Sequence, residues 1–97
     1  MADVHVFARI QPKADHYDEV FAALRGILKA TQEEPGCKRF ELNVGDADDK
    51  SLYLVEIWES EEALEQHHRM QHTIKAAERI DGKLSANTEV VKMTPAT

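Results

Sequence analysis

The stretch SLYLVEIWE, residues 51–59, constrains the fold more than any other part of this chain. It reads as a strand, and it is apolar on both of its faces. Tyr53, Val55 and Ile57 alternate to one side; Leu52, Leu54 and Trp58 alternate to the other, with Glu56 among them. An antiparallel strand that meets water on one face should alternate apolar with polar residues. This one needs cover on both sides, and a chain of 97 residues is too short to supply a third layer from its own length.

The flanking segments say what the first layer is. DVHVFARIQ alternates, with Val4, Val6, Ala8 and Ile10 on one face and His5, Phe7 and Arg9 on the other. Pro12 then interrupts, and Asp15 is placed to cap a helix. Over residues 15–34, Tyr17, Val20, Phe21, Leu24, Ile27, Leu28 and Thr31 form one apolar stripe, so a single amphipathic helix is expected there. Gly26 inside it costs about 1 kcal/mol of helix propensity relative to Ala. The Glu34-Pro35-Gly36 run stops the helix, because the residue before proline disfavours the α region.

CKRFELNVG is a second strand, joined through a turn over residues 46–50 to the doubly apolar third. Ser60 is placed to cap a second helix, whose first turn carries Glu61 and Glu62. The helical pattern continues or restarts through Ile74, Ala77 and Ile80 and ends at Gly82. NTEVVKMTP is the last strand. The order βαββαβ predicts a ferredoxin-like α+β domain over residues 1–97: a four-stranded antiparallel sheet with two helices on one face. The uncovered apolar face predicts a homodimer packed sheet to sheet, most simply with two-fold symmetry.

Composition narrows the function. The net charge is −6, and no run of Lys or Arg exceeds two, so a nucleic-acid partner is not expected. No apolar run approaches the ~20 residues of a membrane span, and the first residues do not read as a signal peptide. A soluble cytoplasmic protein is expected. Cys37 is the only cysteine, which rules out an intramolecular disulfide and a cysteine-rich zinc site; it reads as a small hydrophobe opening the second strand.

EPGCKRFEL followed by LVEIWESEEALEQHHRMQH resembles the antibiotic biosynthesis monooxygenase domain family, and the resemblance spans nearly the whole chain. It rests on the Pro-Gly-Cys turn, on Trp58-Glu59-Ser60 closing the third strand, and on His67 and His72 nine and fourteen residues after the tryptophan. The resemblance implies a dimeric α+β barrel with a pocket between sheet and helices in each subunit. It implies oxygenation of a small quinol or phenol by dioxygen without metal, flavin or haem. Phe7 and Ala77 stand where the haem-degrading branch has Asn and a haem-ligating His, so haem degradation is not expected. Leu54 and Leu64 stand where the polyketide-oxidising branch has Asn and Tyr, which argues against large polycyclic substrates.

Three of the five histidines lie within residues 67–72. His67 shares the apolar stripe with Ala63, Met70 and Ile74, so it is expected to face inward near Trp58. It is either a general base or a core histidine satisfied by a backbone carbonyl. Adjacent residues diverge by about 100° on a helix, so His68 is expected to point away. His72 reaches the same place as His67 only if the helix breaks after Met70, where it would close the rim. His68 and His72 at i, i+4 could face one ion, but no third ligand follows from the spacing, and no metal site is expected. Trp58 is either a core residue or a wall on which an aromatic substrate stacks. Phe7, Phe40 and His5 are further pocket candidates, and Leu54 and Leu64 would make the pocket apolar. Arg9 and Glu56 are expected on inward strand faces, paired with each other or orienting a substrate. The alternatives to a monooxygenase are an isomerase or degradation enzyme for a small carbonyl compound, and a non-catalytic small-molecule-binding dimer.

Overall fold

The computed structural model of the chain describes residues 2–46 and 48–96. Strand β1 (Val4–Ile10) leads through a 3-10 turn, Ala14–His16, into helices α1 (Tyr17–Arg25) and α2 (Leu28–Gln32). Strands β2 (Cys37–Val44) and β3 (Leu52–Trp58) follow, then α3 (Glu61–His68), α4 (Gln71–Ile80) and β4 (Glu89–Met93). The strands lie in the order β2-β3-β1-β4, and every pairing is antiparallel. This is the expected ferredoxin-like α+β arrangement. The expected turn over 46–50 takes in Ala47, which lies outside the described residues.

Alternation sorts the sheet into two faces. Val4, Val6, Ala8 and Ile10 of β1, Phe40 of β2, and Leu52, Leu54 and Trp58 of β3 are buried with Val20, Leu24, Leu64 and Ala76 from the helices. The opposite face carries Phe7, Tyr53, Val55, Ile57, Val91 and Met93, all half-buried or exposed in the single chain. Phe7 packs its ring 5.6 Å from that of Tyr53 on this face. Every residue of the edge strand β4 is exposed.

Both helical stretches are broken, and the breaks have local causes. At Gly26 the continuous helix expected over 15–34 gives way. Ile27 takes φ −102° and ψ −1°, and its N–H bonds back to Leu24 O, three residues away rather than four. The tight turn redirects α2 onto β2, where Gln32 Nε2 donates to Phe40 O at 2.9 Å. Asp15 does not cap α1: its N-cap is His16, without a side-chain cap bond. Ser60 does cap α3, accepting from Ala63 N–H at 3.1 Å. Between α3 and α4, Met70 is extended at φ −70° and ψ 141°, so the second helix restarts rather than continues.

The link from α2 to β2 is closely packed. Gly36 has φ +84°, and a methyl group added there would come within 2.6 Å of Ala63 Cβ and 3.0 Å of Glu59 Cγ. Gly82 also has positive φ, +76°, but a methyl there would meet nothing within 4 Å. Gly82→Ala should therefore lower stability only by the left-handed strain, roughly 1–2 kcal/mol. Gly36→Ala should cost clearly more. Urea unfolding of both variants checks this; equal midpoint shifts would show that α3 gives way freely at Ala63.

Candidate functional site

The break after α3 brings together two histidines that an unbroken helix would set about 140° apart. His67 sits in the last turn of α3 and His72 in the first turn of α4. Both meet the carboxylate of Glu34, which follows α2 and whose own N–H is held by Thr31 O at 3.0 Å. Glu34 Oε2 lies 3.0 Å from His67 Nδ1 and 2.6 Å from His72 Nε2, so one oxygen accepts from both rings. The Glu34 and His67 side chains are buried, and His72 is partly open at 22% exposure. Thr73 Oγ1 is 3.4 Å from His67 Nδ1.

The inner side of His67 packs on aromatic rings. Its ring centre is 4.7 Å from that of Trp58 and 5.4 Å from that of Phe40. Trp58 is fully buried and donates its Nε1–H to Glu56 Oε1 at 2.9 Å. Leu54 and Leu64 are buried in the same core. Trp58, Phe40 and His67 thus pack against one another between sheet and helices, where the resemblance implies a pocket.

Burial sets the protonation of this group. It pushes the His67 imidazole below its ordinary range, outweighing the upward pull of the Glu34 carboxylate; His68 and His72 add to the lowering. His67 is therefore a neutral ring whose Nδ1–H donates to Glu34, which leaves Nε2 as its free acceptor. Among the described residues, the only fully enclosed side-chain polar atom without a partner is Thr31 Oγ1. Burial likewise raises the Glu56 carboxyl and the Cys37 thiol, with Glu34's charge pushing both the same way.

The remaining expected residues lie elsewhere. His5, Phe7 and Arg9 occupy the outer face of the sheet, on the far side from His67. Arg9 does not pair with Glu56. Arg9 stands opposite Tyr53, whereas Glu56 stands opposite Val6, so the two side chains leave the sheet on opposite faces. Arg9 instead bonds Ser51 Oγ at 3.1 Å and Glu89 Oε2 at 3.3 Å. His68 is exposed and borders a cleft of about 460 Å³ with Thr73, Ile74 and Ala77. The residue that sequence reasoning missed is Glu34, taken there only as the end of a helix.

The chain matches known proteins along most of its length. The sequence profile of the family described as "Antibiotic biosynthesis monooxygenase" matches residues 3–79. Rv0793 of Mycobacterium tuberculosis, which carries the name of a candidate monooxygenase, is 28% identical over 92 residues, 95% of this chain and 90% of that protein. Its solved structure superposes with a TM-score of 0.92 at 27% identity, covering 99% and 97% of the two chains. PA3566 of Pseudomonas aeruginosa shares the fold, with a TM-score of 0.92 at 21% identity over 100% and 97%. YjcS of Bacillus subtilis is 32% identical over 57 residues, 59% of this chain and 54% of that protein.

The raised Glu56 carboxyl carries a stability signature. A carboxyl whose folded pKa lies above its unfolded value binds the proton more tightly in the native state. Its contribution is complete below the unfolded value near 4.5 and is lost as pH rises through the folded value. Glu56→Gln keeps an acceptor for Trp58 Nε1–H and removes the ionisation. Thermal melts across pH 4–8 should show the variant gaining on the parent as pH rises. A constant difference across that range would show that Glu56 ionises in the fold as freely as in the open chain.

Proposed function

The chain belongs to the antibiotic biosynthesis monooxygenase family, and on that premise we propose that it oxygenates a small quinol or phenol with dioxygen, using His67 as the general base. The observation that carries this reading is the Glu34–His67 contact. A carboxylate on Nδ1–H fixes the tautomer and orientation of the ring and leaves Nε2 basic, the arrangement general bases use. The same carboxylate, as an acceptor, stabilises the imidazolium formed when the ring takes a proton.

His67 Nε2 removes a phenolic proton. The resulting quinolate is electron-rich enough to pass one electron to dioxygen, and the radical pair combines at a ring carbon. Loss of water from the hydroperoxide leaves a carbonyl there. Quinol and one dioxygen give hydroxyquinone and one water, with all four electrons supplied by the substrate, so no outside reductant enters the balance. His72, partly open beside Glu34, is suited to close the rim over the substrate.

The outer face of the sheet supports a homodimer. Phe7, Tyr53, Val55, Ile57, Val91 and Met93 form an apolar surface that a second copy, turned by a two-fold axis, would cover. His5 and Arg9 then belong to that interface rather than to the substrate.

Oxygen uptake tests the chemistry. With a dihydroxynaphthalene-type quinol, His67→Ala should lower turnover by about 10²–10⁴-fold, the usual worth of a general base. His72→Ala should weaken it less. Quinol consumption that runs equally well without oxygen would instead favour isomerisation or breakdown of a carbonyl compound. Ligand-dependent stabilisation without turnover would favour a binding protein, a reading supported by the apolar Leu54 and Leu64 beside Trp58. For the dimer, sedimentation at micromolar concentration should show twice the 11.0 kDa chain mass; a monomer alone would remove it.

A further inference from the structure

We propose that Glu34 Oε2, His67 Nδ1 and His72 Nε2 form a binding site for a divalent transition-metal ion, and that the bound ion switches His67 off as a base. The binding stands on the geometry alone; the switch rests on the base reading above.

Glu34, His67 and His72 each contribute one ligand atom, and the three atoms lie within 4.8 Å of one another. They come from three segments: the turn after α2, the last turn of α3 and the first turn of α4. Two imidazoles and one carboxylate suit zinc, cobalt, nickel, copper or iron(II) rather than calcium or magnesium, which prefer all-oxygen shells. Bonds of about 2.0–2.2 Å put neighbouring ligand atoms roughly 3.3–3.6 Å apart in a tetrahedral site and roughly 2.8–3.1 Å apart in an octahedral one. The Oε2–Nδ1 separation is already 3.0 Å. The Oε2–Nε2 separation of 2.6 Å must open by a few tenths of an ångström for octahedral coordination and by roughly 1 Å for tetrahedral. His72 is the member able to give, because it is the partly exposed one and opens a fresh helix.

Two features of the surroundings favour an ion. One oxygen of Glu34 serves both rings, so both ring nitrogens already aim at one place, that of Oε2, which an ion takes when the carboxylate draws back. His72 is partly exposed, and Thr73 Oγ1 lies 3.4 Å from His67 Nδ1, so polar groups and solvent border the ligand atoms. The ligand set is not the His68–His72 pair that helical spacing suggested, since His72 turns to Glu34 and His68 to solvent.

The switch follows from tautomer chemistry. Without the ion, the single proton of the neutral His67 ring is on Nδ1 and the lone pair is on Nε2. With the ion, the Nδ1 lone pair goes to the metal, and the ring proton must move to Nε2. No proton is gained or lost by this ring, but Nε2 becomes a donor and cannot accept from a phenol.

The whole chain provides its own reporter. Trp58 is the only tryptophan, and its ring centre lies 4.7 Å from that of His67. Cobalt(II) added to the metal-free protein should quench Trp58 fluorescence saturably at one equivalent and produce visible ligand-field absorption. Zinc should displace it and a chelator should reverse it. His72→Ala, the variant least exposed to folding failure, should weaken cobalt affinity by more than the roughly 100-fold expected for loss of an outer-shell partner. His68→Ala should leave cobalt affinity unchanged. Absence of saturable quenching and of visible absorption in the parent protein overturns the site, as does an equal loss from His68→Ala. Where the parent consumes quinol, saturating zinc should abolish uptake; undiminished uptake at proven saturation overturns the switch. If the parent consumes no quinol, the base reading fails while the cobalt titration still decides the metal site.

Discussion

A single carboxylate oxygen holds three helical segments of this protein in register. Glu34 Oε2 ties the end of α2 to α3 through His67 and to α4 through His72. The backbone around it is held as firmly. Cys37 N–H bonds Glu34 O at 3.1 Å, and Glu59 N–H bonds Gly36 O at 2.8 Å, which fastens the turn to the end of β3. The left-handed Gly36 lets that turn lie against Ala63 and Glu59 of the α3 entry. Burying a carboxylate costs several kcal/mol unless its hydrogen bonds are made, and losing one partner exposes that cost. The geometry of the histidines is therefore not a free choice of two side chains; it is dictated by the need to satisfy Glu34.

That requirement also governs what the rings can do. Burial lowers the His67 imidazole even with an acceptor beside it, because desolvation outweighs the attraction. The result is a neutral ring with a fixed tautomer, the form that can take a proton. Glu56 shows the same physics with the opposite charge. It is buried among Trp58 and Phe40, and burial raises its carboxyl despite the indole N–H it accepts. The two acids thus play different parts, one anchoring imidazoles and one anchoring an indole.

The sheet was legible from period-two alternation, because each strand has one face that must be apolar. Ser60 was legible as a cap, and the break after Met70 was implied by the family resemblance, whose pattern keeps both His67 and His72 although an unbroken helix would part them. Three things were not legible. Glu34 lies 33 and 38 residues from its partners, and no local pattern distinguishes it from Glu33 beside it. Only the fold shows which of the two adjacent acids turns inward. The break at Gly26 is a tertiary effect: a helix stripe that reads as continuous bends so that Gln32 can reach the edge strand β2. The expected Arg9–Glu56 pair failed on parity. Arg9 alternates with Phe7 on the outer face, and the register that places Glu56 opposite Val6 sends it inward.

The two faces of β3 explain why the site lies where it does. On the inner face, Leu54 and Trp58 meet Phe40 and Leu64, and these apolar side chains close over one another. Polar residues at positions 54 and 64 would have needed water or a ligand to satisfy them, and so would have held a space open above the tryptophan. With leucine at both, nothing opposes collapse, and packing fills the sheet side. Polar chemistry is then confined to the other side of His67, where the α3–α4 break leaves backbone and side-chain groups that no helix ladder satisfies. The polar groups that meet His67 are then Glu34 and Thr73, and His72 shares the same carboxylate oxygen.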